Sequence, residues 1–435
     1  MSSHPNPTNN PNISDQTPPK PNPSLQPYSL STLSIHADDP INSGTDVAPA
    51  LHTSTTFRYA SDPGRLQPAD DLDIPDREPG GPVASDAHIY SRLTAPNTSR
   101  LELILTQLLE APCLTYGSGL AAFNALLVWL NPKVVAIGAG YHGCHGVLEI
   151  YKKLTGCKIV DLFDEKSWDE AGLGKGDVVH LETPVNPSGK AYNIRHFAEQ
   201  AHKRGAVLTL DATFAPPPLQ DPWEWGADFV MHSGTKYFGG HSDMLCGVVA
   251  VSRKKEGWEK DYWGMFGERL HLGAVMGSLE GWLGVRSLRT LELRVLRQSE
   301  NCEKLVRFLD QAVRGKDDGE DAQAVKAVVA SVEHASTQYE DLEAGWLREQ
   351  MPKGFGPVFA MHLKSAQMAR RLPSKLHLFH HATSLGGVES LIEWRSMSDS
   401  TVEPTLVRVS VGIENWEDLK RDVVEGCKEL AKEVR

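Results

Sequence analysis

Met231-His232-Ser233-Gly234-Thr235-Lys236-Tyr237-Phe238-Gly239-Gly240-His241 continues the run Asp228-Phe229-Val230. The pattern reads as a short buried strand running into a loop of small residues. Two hydroxyls and one amine stand at its mouth. Hydroxyls two apart on an extended segment point the same way. Ser233 and Thr235 therefore suit a phosphate, while Lys236 suits a Schiff base with a carbonyl cofactor. The plain alternative is a surface lysine in a polar turn.

Around this stretch, from Leu101 to about Arg253, the chain alternates. Helical spacing marks Leu101–Leu109, Leu120–Leu130, Gly146–Leu154 and Ile194–Lys203. Short apolar runs fall between, at Val134–Ile137, Ile159–Phe163, Val178–Leu181, Val207–Leu210, Phe229–Met231 and Val248–Val251. Strands alternating with helices predict an α/β architecture with a mostly parallel sheet covered on both faces. Ligands of such sheets sit at the carboxyl ends of the strands. Leu270 to about Phe308 reads as a long, broken helical stretch. Strands near Pro357–Leu363 and Leu406–Val411 and a closing helix from Trp416 predict a smaller α+β domain. Residues 28–90 show little periodicity, and residues 61–86 are crowded with Asp, Pro and Gly, as in Asp70-Asp71 and Pro79-Gly80-Gly81-Pro82. They read as an extended arm and loop.

The chain has 435 residues, enough for two or three domains, with 40% apolar and 23% charged residues. Its net charge of −12 argues against nucleic acid or an anionic membrane as partner. No run approaches the length of a membrane span. Six scattered cysteines without a CxxC pair predict reduced thiols in the cytoplasm rather than a disulfide framework. Residues 1–27, rich in Pro, Asn and Ser, lack the apolar core of a secretory signal and read as a disordered tail.

The polar residues that end the apolar runs carry the chemistry. Val207-Leu208-Thr209-Leu210-Asp211 closes a strand with a carboxylate 25 residues before Lys236. Such an acid can pair with a heterocyclic nitrogen and keep it protonated, or simply cap a turn beside Thr213. Tyr116-Gly117-Ser118-Gly119-Leu120 opens a helix with small residues, where backbone N–H groups can cradle a phosphate; a simple turn is the alternative. Tyr141, in Gly140-Tyr141-His142-Gly143-Cys144-His145, can stack on a planar ring. The nearby His142, Cys144 and His145 match no standard zinc spacing, and no fourth ligand is evident, so no metal is expected. Asn186, in Glu182-Thr183-Pro184-Val185-Asn186-Pro187, offers a polar contact or turn chemistry only. Arg408, in Leu406-Val407-Arg408-Val409-Ser410, can hold a carboxylate bidentately or form a structural ion pair, facing inward or outward.

Taken together and in order, these pieces resemble the cystathionine γ-synthase/γ-lyase group of pyridoxal-phosphate enzymes, the Cys/Met-metabolism family of fold type I. The resemblance runs from about Thr32-Leu33-Ser34-Ile35-His36-Ala37 to the C-terminus. Its most specific pieces are Ser233-Gly234-Thr235-Lys236-Tyr237, Ser384-Leu385-Gly386-Gly387-Val388-Glu389-Ser390-Leu391 and Val407-Arg408-Val409-Ser410-Val411-Gly412-Ile413-Glu414. It implies pyridoxal 5'-phosphate as cofactor, with Lys236 carrying it and moving the Cα proton. Asp211 becomes the partner of the pyridine nitrogen and Tyr141 the stacking ring. Gly119 and Leu120 give backbone N–H groups to the phosphate, and Ser233 and Thr235 give hydroxyls. Asn186 lies near the ring oxygen. Arg408 clamps the substrate carboxylate, supported by Ser384 and Thr383. Tyr90 and Arg92 reach the phosphate of a neighbouring subunit's cofactor, which implies a homodimer or homotetramer with shared active sites.

Composition, periodicity and the resemblance together give an expected organisation: a tail over 1–27, an arm and loop over 28–95, a large cofactor-binding domain over 96–295 and a small domain over 296–435. The implied activity is that of a carbon–sulfur lyase of trans-sulfuration, acting on a small amino acid with a leaving group at Cβ or Cγ. A γ-replacement transferase, such as a cystathionine γ-synthase or O-acylhomoserine sulfhydrylase, is the alternative, and an inactive cofactor-binding interaction protein is a second. The chain departs from the family's pattern where it has Asp211-Ala212-Thr213 for Asp-Asn-Thr and Tyr141-His142-Gly143-Cys144 for Tyr-Gly-Gly-Thr. It also has Glu393-Trp394-Arg395 and Met397-Ser398-Asp399, one residue shorter, where His-Pro and Met-Thr-His are expected, and Thr383 where many members carry glutamate. These positions are expected to face the distal part of the substrate.

Overall fold

A computed structural model describes residues 28–42, 44–66, 78–84 and 87–433. The tail expected over 1–27 and the Asp70-Asp71 part of the loop lie outside these residues. Seven short strands form the larger sheet: β1 (Cys113–Tyr116), β2 (Val134–Ile137), β3 (Lys158–Asp161), β4 (Val178–Glu182), β5 (Val207–Asp211), β6 (Phe229–Ser233) and β7 (Gly247–Val251). Their order is β1-β7-β6-β5-β4-β2-β3. Every pair is parallel except those of β7, which runs antiparallel to β1 and β6.

The apolar runs are continuous because both faces of the sheet are covered, and successive side chains point to opposite sides. In β2, Val135 and Ile137 join Phe123, Leu126, Leu148 and Met265 on one face. Val134 and Ala136 join Trp168, Ile194 and Phe197 on the other. Register then aligns the carboxyl ends, with Glu182 of β4 opposite Asp211 of β5, and Asp211 opposite Met231 of β6.

The second sheet holds β8 (Val329–Glu333), β9 (Val358–Leu363), β10 (His380–His381), β11 (Leu391–Trp394) and β12 (Leu406–Ser410), in the order β10-β11-β12-β9-β8. The helices Leu291–Val313, Glu320–Val328 and Trp416–Glu433 bury their apolar stripes in one core with this sheet, through residues such as Leu305, Leu309, Val325, Val423 and Cys427. The expected boundary at 295/296 falls inside the helix Leu291–Val313. Its first turns, with Leu291 and Val295, pack in the core that also holds Leu101 and Leu105, and its remainder belongs to the second core. A rigid helix thus joins the two sheets.

Several expectations need adjusting. Leu270–Phe308 is divided among the helices Trp258–Leu272, Ser278–Leu288 and Leu291–Val313; the first ends at Gly273, in the left-handed region at φ 68°. The helix expected from Gly146 begins at His142. The arm contains a helix, Leu30–His36, and a single bridge from Thr56 to Tyr90. Strands β1, β8 and β11 carry no clear two-residue alternation, and their pairing rests on distant partners.

A buried ion pair fastens the start of the sheet. Arg269 Nη1 donates to Glu102 Oε1 and, at 2.7 Å, to the Thr115 carbonyl. Glu102 Oε1 also accepts from the Thr115 amide at 2.9 Å and its hydroxyl at 2.8 Å. Replacing Arg269 with Met leaves the buried Glu102 carboxyl group without its cation. We expect a loss of about 3–5 kcal/mol of stability, read as a lower urea midpoint.

Candidate active site

A cavity of about 450 Å³ opens at the carboxyl edge of the larger sheet, against the small domain. That volume suits a small-molecule site. Lys236, Asp211, Tyr141, Asn186, Ser233, Thr235, Gly119, Leu120, Thr383, Ser384 and Arg408 all line it. Tyr90 and Arg92 do not. Arg92 instead donates to the Leu270 carbonyl at 3.0 Å and lies over the Tyr90 ring, 5.3 Å from its centre.

Lys236 follows β6 by three residues. Its Nζ donates to Ser384 Oγ at 2.7 Å. Burial lowers its pKa to about 8, helped by the nearby Arg408 charge. The backbone makes this approach possible. Ser384 is held in the left-handed region at φ 75°, a strained setting for a residue with a side chain. Gly386, at φ 86°, packs so closely that a Cβ there would lie 2.8 Å from the Lys236 carbonyl carbon. An amine attacks a carbonyl only when neutral. Capture of pyridoxal phosphate by the apo-protein should therefore speed up with pH and level off just above pH 8. A rate that keeps climbing to about pH 10, where free lysine titrates, would contradict this.

Asp211 closes β5 and is 6% exposed. Its Oδ1 accepts from the Thr213 amide at 2.9 Å and hydroxyl at 2.5 Å. Burial raises its pKa, and the two Thr213 hydrogen bonds and the Lys236 charge oppose the rise. Glu182, one strand over, accepts from the Tyr141 amide at 2.7 Å and the Asn186 amide at 2.6 Å. Burial and the Asp211 charge push Glu182 up to about 8. Glu182 therefore keeps its proton near neutrality.

The helix Gly119–Leu130 points its start into the cavity. Ser118 caps it, accepting from the Ala121 amide at 3.1 Å. A Cβ at Gly119 would sit 3.0 Å from Ser233 Cβ, so only glycine lets the helix start and β6 come this close. The first-turn N–H groups and Ser233 share this corner, which fits a phosphate. Thr235 differs: its hydroxyl donates to the Cys246 carbonyl at 3.2 Å and accepts from the Cys246 amide at 3.0 Å. It braces the turn as well as lining the cavity. A phosphate corner, an acid on the strand end and an amine, all on one cavity of this size, fit pyridoxal phosphate.

Arg408 points inward and is buried. Its Nη1 donates to Asn186 Oδ1 at 3.1 Å, and its Nη2 donates to the Ser384 carbonyl at 2.9 Å and pairs with Glu393 at 2.7 Å. The departures from the family pattern divide here. Arg395 and Ser398 line the cavity, whereas Glu393 sits behind the wall, because its carboxylate joins Arg408 and Arg395. Trp394, Met397 and Asp399 do not line the cavity. The trio His142, Cys144 and His145 goes three ways, toward Arg395, into the core and to the Gly138 carbonyl. Among the described residues no three His, Cys, Asp or Glu side chains converge as a metal site requires. Residue-by-residue reading missed the supporting role of Glu182, whereas Arg395 lines the cavity as the departures from the family pattern led one to expect. Glu182 ends its apolar run just as Asp211 does, so the signal for it was present.

A sheet of this order, with an amine and an acid at its carboxyl edge sharing one cavity, is that of a fold type I pyridoxal-phosphate enzyme. Comparison with known proteins narrows the class: the chain belongs to the Cys/Met metabolism PLP-dependent enzymes, whose family model matches residues 31–428. It is 30% identical over 362 residues to a cystathionine gamma-lyase of Bacillus subtilis, across 78% of this chain and 89% of that relative. It is equally 30% identical over 406 residues to a cystathionine gamma-synthase of Escherichia coli, across 89% and 94%. The structure of metB from Corynebacterium glutamicum superposes with a TM-score of 0.77 at 27% identity, covering 93% of this chain and all of that one.

Proposed function

We propose that the protein is a carbon–sulfur lyase that cleaves a cystathionine-like amino acid at Cβ or Cγ. The single observation that carries this reading is that Lys236, Asp211 and Arg408 open on one cavity. Bound pyridoxal phosphate supplies an electron sink that stabilises negative charge at the substrate Cα. Arg408 holds the α-carboxylate and so fixes the direction of the Cα–H bond. Lys236 Nζ takes the Cα proton, its lowered pKa placing it near working pH. Ser384 Oγ, at 2.7 Å, steers that amine. Asp211, braced by Thr213, would face a ring nitrogen of the bound cofactor and favour its protonated form. Tyr141 would stack on the ring and Asn186 would lie beside the ring oxygen, both lining the cavity.

Tyr90 and Arg92 stand away from the cavity of their own chain. In this reading they reach the cofactor phosphate of a second copy in a homodimer or homotetramer. Six free, buried cysteines suit a reducing cytoplasm, and among the described residues no helix is long and apolar enough to cross a membrane. The equal identity to a synthase keeps γ-replacement on an O-acylated homoserine as the second reading.

The test is incubation of the cofactor-loaded protein with L-cystathionine, with assay of oxo acid and ammonia. 2-Oxobutanoate marks cleavage at Cγ and pyruvate cleavage at Cβ. Thioether formation from O-succinyl-L-homoserine and cysteine, without either oxo acid, would favour the synthase.

A further inference from the structure

Three residues that line the cavity, Arg395, Ser398 and His142, have no place in the reading above. The Arg395 side chain is 2% exposed. Its Nη1 is well used, donating to Ser398 Oγ at 2.7 Å and to Glu393 Oε2 at 3.1 Å. Its other nitrogens are not. Nε is buried without a partner. Nη2 has only long contacts, 3.4 Å to His142 Nδ1 and 3.9 Å to Asp399 Oδ2.

The surrounding charges do not satisfy this end of the guanidinium. The Glu393 carboxylate is shared with Arg408 at 2.7 Å, so one anion serves two cations. Asp399 directs its Oδ1 to the Thr401 amide at 2.9 Å and hydroxyl at 2.6 Å. Arginine only donates, so His142 Nδ1 accepts in this contact and leaves Nε2 as the ring's donor. His142 also lines the cavity, at an exposed position. The Arg395 charge also reaches into the site, since it lowers the pKa of both Tyr141 and Glu182 against larger opposing causes.

We propose that Arg395, through Nη2, and His142 form an anion subsite for a carboxylate carried on the substrate's leaving group. The proposal rests on the lyase reading and deepens it. With Arg408 on the α-carboxylate, the site has two guanidinia for two carboxylates. Planar guanidinium forks recognise carboxylates better than point charges do. The preferred substrate is therefore an amino acid whose group leaving from Cβ or Cγ bears its own carboxylate, either a second amino acid joined through sulfur or a dicarboxylic half-ester. Glu393 is the positioning residue, pairing with both guanidinia at 3.1 Å and 2.7 Å.

The test uses the cofactor-loaded enzyme and matched pairs differing in the distal charge. Binding is read by calorimetry with L-2-aminoadipate against L-norleucine. Specificity is read as kcat/KM for L-cystathionine against L-ethionine, and for O-succinyl- against O-acetyl-L-homoserine. We expect the charged member to be preferred about tenfold or more in the binding pair and in at least one kinetic pair. The kinetic pair that shows it identifies the thioether or the half-ester as the source of the carboxylate. Arg395→Gln should bring the ratio to within about threefold, Arg395→Lys should keep part of it, and Arg395→Glu should invert it. His142→Ala, changed at an exposed position, should lower the ratio less and guards against a folding defect in the arginine variants. No preference in the wild type, or an unchanged ratio in Arg395→Gln, would overturn the subsite. Failure to bind pyridoxal phosphate at all would instead overturn the lyase reading on which it depends.

Discussion

Lys236→Ala is expected to lower turnover of cystathionine by about 10³-fold or more and to abolish the visible absorbance of covalently bound pyridoxal phosphate. Two roles vanish with one amine. Lys236 is the only lysine lining the cavity among the described residues, so no neighbour can form the covalent link. The general base is lost as well, and positioned bases contribute about 10²–10⁴ in rate. The fold should survive, because a side chain with a pKa lowered by burial is already an unfavourable place for charge. An unchanged melting temperature with lost turnover separates chemistry from stability. Turnover within about tenfold of wild type would refute the assignment.

Asp211→Asn is expected to give the second largest effect, a fall of about 10²–10³ in kcat. The amide keeps the shape and can still accept from Thr213, whose two hydrogen bonds go to one oxygen. It loses the acid that, in the proposed mechanism, favours the protonated form of a buried ring nitrogen. Breaking a buried charge pair costs about 3–5 kcal/mol, and this loss falls on the step in which Cα becomes negative. KM should move less than kcat, because the proposed mechanism gives substrate binding to Arg408 and not to Asp211. The pH profile should also change, since Glu182, freed from the Asp211 charge, gives up its proton at lower pH. Equal losses in kcat and substrate binding would instead point to a collapsed site.

Much of the fold was legible because strands of this sheet are buried on both faces. Val134–Ile137, Val178–Leu181 and Val207–Leu210 read as unbroken apolar runs, and the sheet uses them with shifts of a residue or so. The ends of the runs pointed to Asp211 and, through the adjoining loop, to Lys236. What stayed hidden lies where pairing, not composition, makes a strand. Cys113–Tyr116 is a strand because Gly247–Val251 runs antiparallel beside it, and nothing within four residues announces that partner.

By itself, the sequence determined the alternation of elements, the strand-end acid, the lysine loop and the small residues that open the helix at Gly119. These are local properties, set by side-chain pattern and backbone freedom over a few residues. Only the tertiary structure decided that Arg408 faces inward rather than out, that Thr235 braces Cys246 as well as the cavity, and that Glu393 withdraws behind the wall while Arg395 comes to its surface. Those outcomes depend on partners brought together by the fold: Arg408 meets Asn186 from the other domain and Glu393 from the neighbouring strand, and Thr235 meets Cys246 across a turn. Burial makes each unpaired charge costly, so the folded network, not the local pattern, chooses where each side chain points.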